Sequence, residues 1–375
     1  MTAPLHDPDP FLQIVHVSDM HVFADTSPQA KRTRAMCVQA AYMLDGMARR
    51  APTARLRDEL LAASERILEG TEAHHPPAAL ALGRVIAQEN AKVKCPSCLV
   101  ISGDQSTFGD TSSIQRARAY LNPAIQSSDR VIEIHGNHDA WPSTAPLLGP
   151  PRFGSQVKRS LLQLQYRVEW PGVVDFPSFA GGLPVEIFTV DTVDMGRWKN
   201  TLALGRVDDK QLDELERLIA DSDAQRGNAP VLRMLIAHHP IGYPPPPPPW
   251  GMVIQNGGQV GARLSSGAKR SKPLIHLVLS GHTHDPFPKL GSLPASTRQC
   301  AHHPLGYGQV QLVAGTATQR DAFKNSAVPY RFQILRMYRS TSNGASRVVV
   351  ERTIMSRGKI GAYRAEPAEK MIVDI

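Results

Sequence analysis

The chain has 375 residues, 42% hydrophobic and 20% charged, the make-up of a globular fold with enough length to bury a large core. No apolar run reaches the roughly 20 residues of a membrane span, so no spanning helix is expected. The net charge of +8 is spread over small separate basic groups, which reads as a solvated surface with a general bias toward anionic small molecules and argues against a nucleic-acid polymer as partner.

The first residues, MTAPLHDPDP, have neither a basic start nor an apolar stretch, so a cytoplasmic protein with a flexible segment 1–10 is expected. Residues 11–17, FLQIVHV, read as a buried strand running straight into Ser18, Asp19, Met20 and His21. An Asp and a His two apart at a strand end point the same way and can chelate one ion.

From residue 33 to residue 90 the pattern is helical. Met36, Ala40, Met43, Leu44 and Met47 share one face, Leu56, Leu60, Leu61, Ile67 and Leu68 another, and Leu82, Val85 and Ile86 a third after the break at His74-His75-Pro76-Pro77. The methionine face is expected to pack and the two histidines to be exposed. Residues 30–78 are expected to form a helical insertion in a single domain spanning 11–375. Cys95 and Cys98 form a C-x-x-C followed by a strand, with Cys37 and Cys300 far off, so inert thiols are expected.

Residues 99–102 form a strand ending in Gly103 and Asp104, and a carboxylate directly after a glycine can be approached from two sides. A helix over 114–121 leads to residues 131–139, VIEIHGNHD, where a short strand stops at Gly136 and presents Asn137, His138 and Asp139. The Pro- and Gly-rich region 141–182 has no readable order. A strand over 184–190 ends at Asp191, and an amphipathic helix over 207–220 has Asp208 or Asp209 at its cap. Residues 231–237 form a strand ending in His238-His239-Pro240, and the six prolines at 244–249 with Trp250 must be extended and form a rim. A strand over 274–280 ends in Gly281-His282-Thr283-His284; segments 310–314, 330–338 and 347–353 are further strands, the last two antiparallel.

Asp19, His21, Asp104, Asn137, His238, His282 and His284 therefore each stand just past a strand. Seven nitrogen and oxygen donors without cysteine suit two borderline divalent cations such as Mn, Fe, Zn, Co or Ni. Two cations about 4 Å apart can share a hydroxide and clamp the attacking and leaving oxygens of a displacement at phosphorus.

In this order DMH, GDQ, GNHD, HHP and GHTH resemble the calcineurin-like metallophosphoesterase superfamily over residues 11–319. The stretch TVDTV from Thr189, the helix with Gln211-Leu212 and AGTATQ at 314–319 look similar to its branch of bacterial cyclic-nucleotide phosphodiesterases and glycerophosphodiesterases. The resemblance implies an α/β fold, a four-layer α/β/β/α sandwich of two mixed sheets. It implies one ion held by Asp19, His21 and His284, another by Asn137, His238 and His282, and Asp104 between them. It implies that His138 meets the leaving group as general acid and that Asp139 orients it. His239, His302 and His303 read as structural or rim residues, and Phe108, Tyr243 and Trp250 as packing. Phosphoprotein phosphatases of the superfamily follow GD with an acid and an Arg, whereas Gln105, Ser106, Thr107 and Phe108 stand here. The expected activity is thus hydrolysis of small-molecule phosphodiesters through a metal-bridging hydroxide. A phosphomonoesterase or lipid-headgroup pyrophosphatase is the enzymatic alternative, and a protein-binding scaffold that has lost catalysis is the alternative of another class. Oligomeric state is not legible.

Overall fold

The computed structural model describes residues 9–24, 28–71, 74–107, 111–139, 171–176, 183–193, 205–227, 229–242, 254–265, 273–283, 302–306, 309–318, 330–342, 345–357 and 361–375. Strands β1 (Leu12–Val17), β2 (Ser97–Ser102) and β3 (Arg130–Ile134) run parallel in one sheet. Parallel neighbours need a crossover, and the chain supplies helix α3 (Pro76–Asn90) between the first two and α4 (Thr111–Gln126) between the next two. Ahead of α3 come α1 (Pro28–Ala48) and α2 (Ala54–Thr71).

A second sheet has the order β4 (Gly172–Phe176), β5 (Val185–Thr189), β6 (Leu232–Ile236), β7 (Leu277–Ser280), β9 (Gln309–Val313) and β8 (His302–Gly306). Its four inner strands are parallel and both edges antiparallel. Helix α5 (Asp209–Arg226) crosses from β5 to β6, and α6 (Gly257–Ser265) lies between β6 and β7. Asp208 caps α5 by accepting the Gln211 N–H at 2.8 Å. The chain then returns to the first sheet, where the long β10 (Tyr330–Ser342) pairs antiparallel with β1, and β11 (Ala345–Arg357), β12 (Arg364–Ala365) and β13 (Glu369–Asp374) extend it.

The strand pattern explains the layering. In β1, Leu12 and Ile14 enter the core between the sheets with Val100, Ile187, Met234 and Leu279. Val15 and Val17 point the other way, onto Leu82 and Ile86 of α3 and Leu121 of α4. A strand buried on both faces needs an apolar run rather than alternation, which FLQIVHV approaches. On the far side Phe188, Leu235 and Val278 meet Leu212, Leu215 and Ile219 of α5 and Val260 of α6. Each fully buried side chain of this size stabilises by roughly 1.5–3 kcal/mol relative to exposure. The result is a four-layer α/β/β/α sandwich of two mixed sheets, as the resemblance implied.

Two local expectations fail. The methionine face of α1 is not packed: Met43 is 70% exposed, with Met36 and Met47 also open. The helix instead buries Ala41 and Ala48, and Ser64 of α2 donates to the Ala41 carbonyl at 2.8 Å. Small residues let two helices approach closely, so the helical period was correct but the packed stripe was the alanine one. Nor are the histidines of the break both in solvent. His74 is buried, its Nδ1 accepting the Phe23 N–H at 3.2 Å and its Nε2 lying 3.2 Å from the Tyr120 hydroxyl. His75 is half-buried and stacks on Tyr330 at 5.1 Å. The break is where the chain re-enters the fold, and His74 N–H donates to the His21 carbonyl at 3.1 Å.

Cys98 sits in the inter-sheet core and burial raises its thiol far above the ordinary value; burial likewise pushes Cys95 up to about 11, so both stay protonated and unreactive. Segment 1–8, Phe108, the proline run with Tyr243 and Trp250, His284 and Cys300 lie outside the described residues, as do the side chains of Cys37, His302 and His303.

Candidate metal centre

The carboxyl ends of β1, β2, β3, β6 and β7 meet at one edge of the sandwich, where the chain must leave each strand abruptly. Asp19, His21, Asp104 and His282 have φ of 54°, 47°, 51° and 71°, and among the described residues no other non-glycine residue has positive φ. That conformation costs about 1–2 kcal/mol per residue and persists only where its surroundings enforce it. The enforcement is visible. Asp19 N–H donates to Gly103 O at 3.1 Å, His21 N–H to Asp104 O at 2.9 Å and Thr107 Oγ1 to His21 O at 2.8 Å. From the other side Thr316 Oγ1 donates to Asp19 O at 2.7 Å, Ala317 N–H to Ser18 O at 3.0 Å and Thr318 Oγ1 to Met20 O at 2.5 Å. Gly103, at φ 106°, leaves no room for a side chain, since a Cβ would stand 2.5 Å from His238 Nδ1.

These backbones bring donor atoms into two groups that share Asp104. His21, Asp104 and His138 form one and Asp104, His238 and His282 the other, each with its donor atoms within 4.8 Å of one another. Asp104 Oδ2 lies 3.7 Å from His21 Nε2 and 3.2 Å from His238 Nε2. Asp19 Oδ1 is 3.9 Å from His21 Nε2. Asn137 Oδ1 stands 3.0 Å from His238 Nε2.

The hydrogen bonds define which His238 nitrogen faces inward. Its Nδ1 is 2.8 Å from Ser102 O, an atom that can only accept, so Nδ1 carries the proton and Nε2 meets the oxygens of Asp104 and Asn137. His282 is buried and its Nε2 has no hydrogen-bond partner among the described residues. An acceptor-rich, buried cluster of this kind calls for a cation, and the nitrogen and oxygen set fits divalent metals.

Burial opposes charge on the Asp104 carboxyl, but His238, His138 and His21 outweigh it and hold the group well below the usual carboxylate range. Burial also opposes charge on His238, yet the Asp104 carboxylate raises it to about 9. His282 moves the opposite way, lowered by burial and then by His239 and His238. A metal-ligating imidazole must give up its inward proton, so an ion here would compete with protons and bind more tightly as pH rises.

A family model described as calcineurin-like phosphoesterase matches residues 12–286. The chain belongs to the calcineurin-like phosphoesterase family. Among solved structures it is similar to a purple acid phosphatase from yellow lupin (Lupinus luteus), at 14% identity and TM-score 0.48, covering 96% of this chain and 53% of that one. It is similar to a 5'-nucleotidase precursor from Thermus thermophilus, at 13% identity and TM-score 0.39, covering 97% and 54%. It is also similar to Vps29 of Chaetomium thermophilum, at 8% identity and TM-score 0.29, covering 96% of both chains. The chain thus spans about half the length of the phosphatase and nucleotidase chains it matches. No curated protein matches it.

In this family member the structure brings together Asp19, His21, Asp104, Asn137, His138, Asp139, His238 and His282; His284 is beyond the described residues. Asp139 departs from its expected place. Its Oδ1 accepts from Ser106 N–H at 2.8 Å and Ser106 Oγ at 2.9 Å, and its Oδ2 from Gly136 N–H at 3.1 Å and Gln105 N–H at 3.2 Å. With four donors on it, the carboxylate braces the two loops. It is His138 Nδ1 that meets Thr107 O, at 3.1 Å. Burial, then Asp104, raises the Asp139 pKa.

Further groups support the centre from the second sheet. Asp191 pairs with His135 at 3.2 Å across the two sheets, both buried, and Thr192 Oγ1 lies 2.7 Å from His239 Nδ1. His239 is fully buried, with its ring 4.2 Å from that of His282, so it is no rim residue. The signal for Thr316 and Thr318 was there in AGTATQ, which comes directly after a strand.

Proposed function

We propose that the chain is a dinuclear metal-dependent phosphohydrolase acting on small-molecule phosphodiesters. The observation that carries the reading is Asp104: one carboxylate faces ring nitrogens from both donor groups, which a mononuclear or structural site does not need. Asp19, His21 and His284 would hold one ion and Asn137, His238 and His282 the other, with Asp104 between them. Divalent ions bound there, of the Mn, Fe, Zn, Co or Ni kind, supply an activated water and neutralise the phosphoryl charge.

The protein's own groups do the rest. The Nδ1 proton of His138 is fixed by the Thr107 carbonyl, so Nε2 is the nitrogen that gives a proton to the departing oxygen. His138 N–H donates to Asp104 Oδ1 at 2.8 Å, which ties the acid's backbone to the bridging carboxylate. Asp139 keeps the Gly136 and Gln105–Ser106 backbones together, so His138 and Asp104 cannot move independently.

The diester preference rests on the three residues after Asp104. Gln105, Ser106 and Thr107 are uncharged and buried, with Ser106 bonded to Asp139 and Thr107 to His21 O. A dianionic monoester asks for a cationic side chain here; a monoanionic diester does not.

Chelator-stripped protein, given Mn, Zn, Ni, Co or Mg one at a time, is tested on bis(p-nitrophenyl) phosphate against p-nitrophenyl phosphate. A metal-restored rate that prefers the diester supports the reading and leads to cyclic nucleotides and glycerophosphodiesters. Preference for the monoester makes it a phosphatase, and no hydrolysis with any metal favours the scaffold.

A further inference from the structure

Among the described residues, the largely aliphatic core between the two sheets carries a polar row that crosses four strands. Ser102 on β2, His16 on β1, Gln333 on β10 and Arg352 on β11 are all buried, and the row ends at the partly exposed Glu369 on β13. The register makes it a row: His16 pairs directly with Gln333, and Arg352 with Glu369. Their side chains share the face of Leu12, Ile14, Leu335, Val350 and Met371, where further aliphatic residues would have fitted the pattern.

The bonds in this row run one way. Arg352 Nε donates to Gln333 Oε1 at 2.7 Å, and a guanidinium can only donate, so the amide orientation of Gln333 is fixed. Its Nε2 therefore donates to His16 Nδ1 at 2.6 Å. Burial, reinforced by the Arg352 charge, lowers His16 to about 3, so the ring is neutral and its single proton sits on Nε2. That proton is given to Ser102 Oγ at 2.8 Å. The carbonyl of the same Ser102 accepts His238 Nδ1–H, and the next residues are Gly103 and Asp104. His16 itself lies on the strand that ends in Asp19 and His21.

We propose that His16, Gln333 and Arg352 are positioning residues, a directed chain of donors that pins the tips of β1 and β2 together and, through Ser102, aims His238 at its ion. This rests on the dinuclear reading but is tested apart from activity. The physical case is directionality. A buried cation at one end polarises each successive donor, and no member can turn over without leaving its neighbour unbonded.

The test measures ion affinity by chelator competition on the full chain, with Gln333→Met as the variant. Met337→Ala, in the same strand and the same core but off the row, controls for general loosening. Losing an outer-shell partner of a metal-ligating histidine weakens ion binding about 10- to 100-fold. Gln333 stands behind His16 and Ser102 rather than on the ligand itself, so the lower end of that range, about tenfold, is expected in Gln333→Met with the Met337→Ala control within about threefold of wild type. Equal affinities in Gln333→Met and wild type overturn the proposal, and so does a loss matched by the control. Should Gln333→Met not fold, Gln333→Glu keeps an acceptor for Arg352 and removes the donor to His16. It should show the same weakening, with ring-nitrogen NMR reporting the His16 proton on Nδ1, and wild-type affinity there also overturns the proposal. Wild-type protein that binds two ions yet hydrolyses neither test substrate would sink the hydrolase reading while leaving this comparison intact.

Discussion

Replacing Gly136 with alanine puts one methyl group against the shared carboxylate of the candidate centre. A Cβ at that position would collide first with Asp104 Oδ1, and would also fall 2.6 Å from the Asp104 amide nitrogen and 2.6 Å from His238 Cε1, where ordinary contact begins at 3.4 Å. Gly136 is not among the glycines with positive φ, so the substitution adds no backbone strain and acts by displacement alone. Against the amide nitrogen and His238 the shortfall from 3.4 to 2.6 Å is 0.8 Å, and against Asp104 Oδ1 it is larger; the displacement is taken up by the shared carboxylate, by His238 or by the loop itself. A misplacement near 1 Å costs on the order of 10²-fold in rate, or about 2.7 kcal/mol of transition-state stabilisation. The kcat/KM for bis(p-nitrophenyl) phosphate should fall by about that factor in metal-reconstituted protein, with weaker ion binding measured alongside. Gly258→Ala is the matched control, since nothing lies within 4 Å of its Cβ, and it should keep full activity. A Gly136→Ala protein that binds both ions as wild type does and retains its rate would refute the idea that this close approach defines the site.

Removing the proposed acid, His138→Ala, should cost about 10²–10⁴-fold on alkyl diesters and far less with p-nitrophenol as the leaving group; equal losses on both would remove its acid role. The buried neutral His16 makes folding pH-sensitive. Its folded value near 3 lies below the ordinary 6.5, so the unfolded chain takes up a proton that the folded one refuses. That contribution is complete above pH 6.5 and is lost as pH falls toward about 3, at up to about 1.4 kcal/mol per pH unit. Denaturant midpoints across that range should fall less steeply in His16→Gln, and parallel curves would contradict the assignment. Asp208→Ala removes the α5 cap and should cost about 1 kcal/mol of stability in thermal or urea unfolding with kcat unchanged. A change in kcat would show that α5 reaches the chemistry.

The parallel strands announced themselves as short apolar runs, and their ends as a glycine or a polar residue followed by Asp, Asn or His. Those features are local, so Asp19, His21, Asp104, Asn137, His238 and His282 were legible one strand end at a time. The crossover helices were equally plain, and so was the cap of α5, since helical period and a capping carboxylate need no distant partner. Strands such as β4 and β13 and the short α6 escaped notice because edge and peripheral elements carry weak or mixed patterns.

Tertiary structure alone decided the rest. Which stripe of α1 packs depends on how closely a second helix approaches, and that approach selected Ala41 and Ala48 over the methionines. His74 looked like a solvent histidine until the fold placed Phe23 and Tyr120 around it. Asp139 sits next to His138 in sequence, yet the backbone turns its carboxylate toward four donors, and the imidazole proton finds Thr107 O. The row from Arg352 to Ser102 links residues more than two hundred positions apart. By itself the sequence determined which residue types stand at each strand end, because alternation and chain reversal act over a few residues. Only the fold decided which of them face one another, because sheet order and register set those distances and no local pattern encodes either.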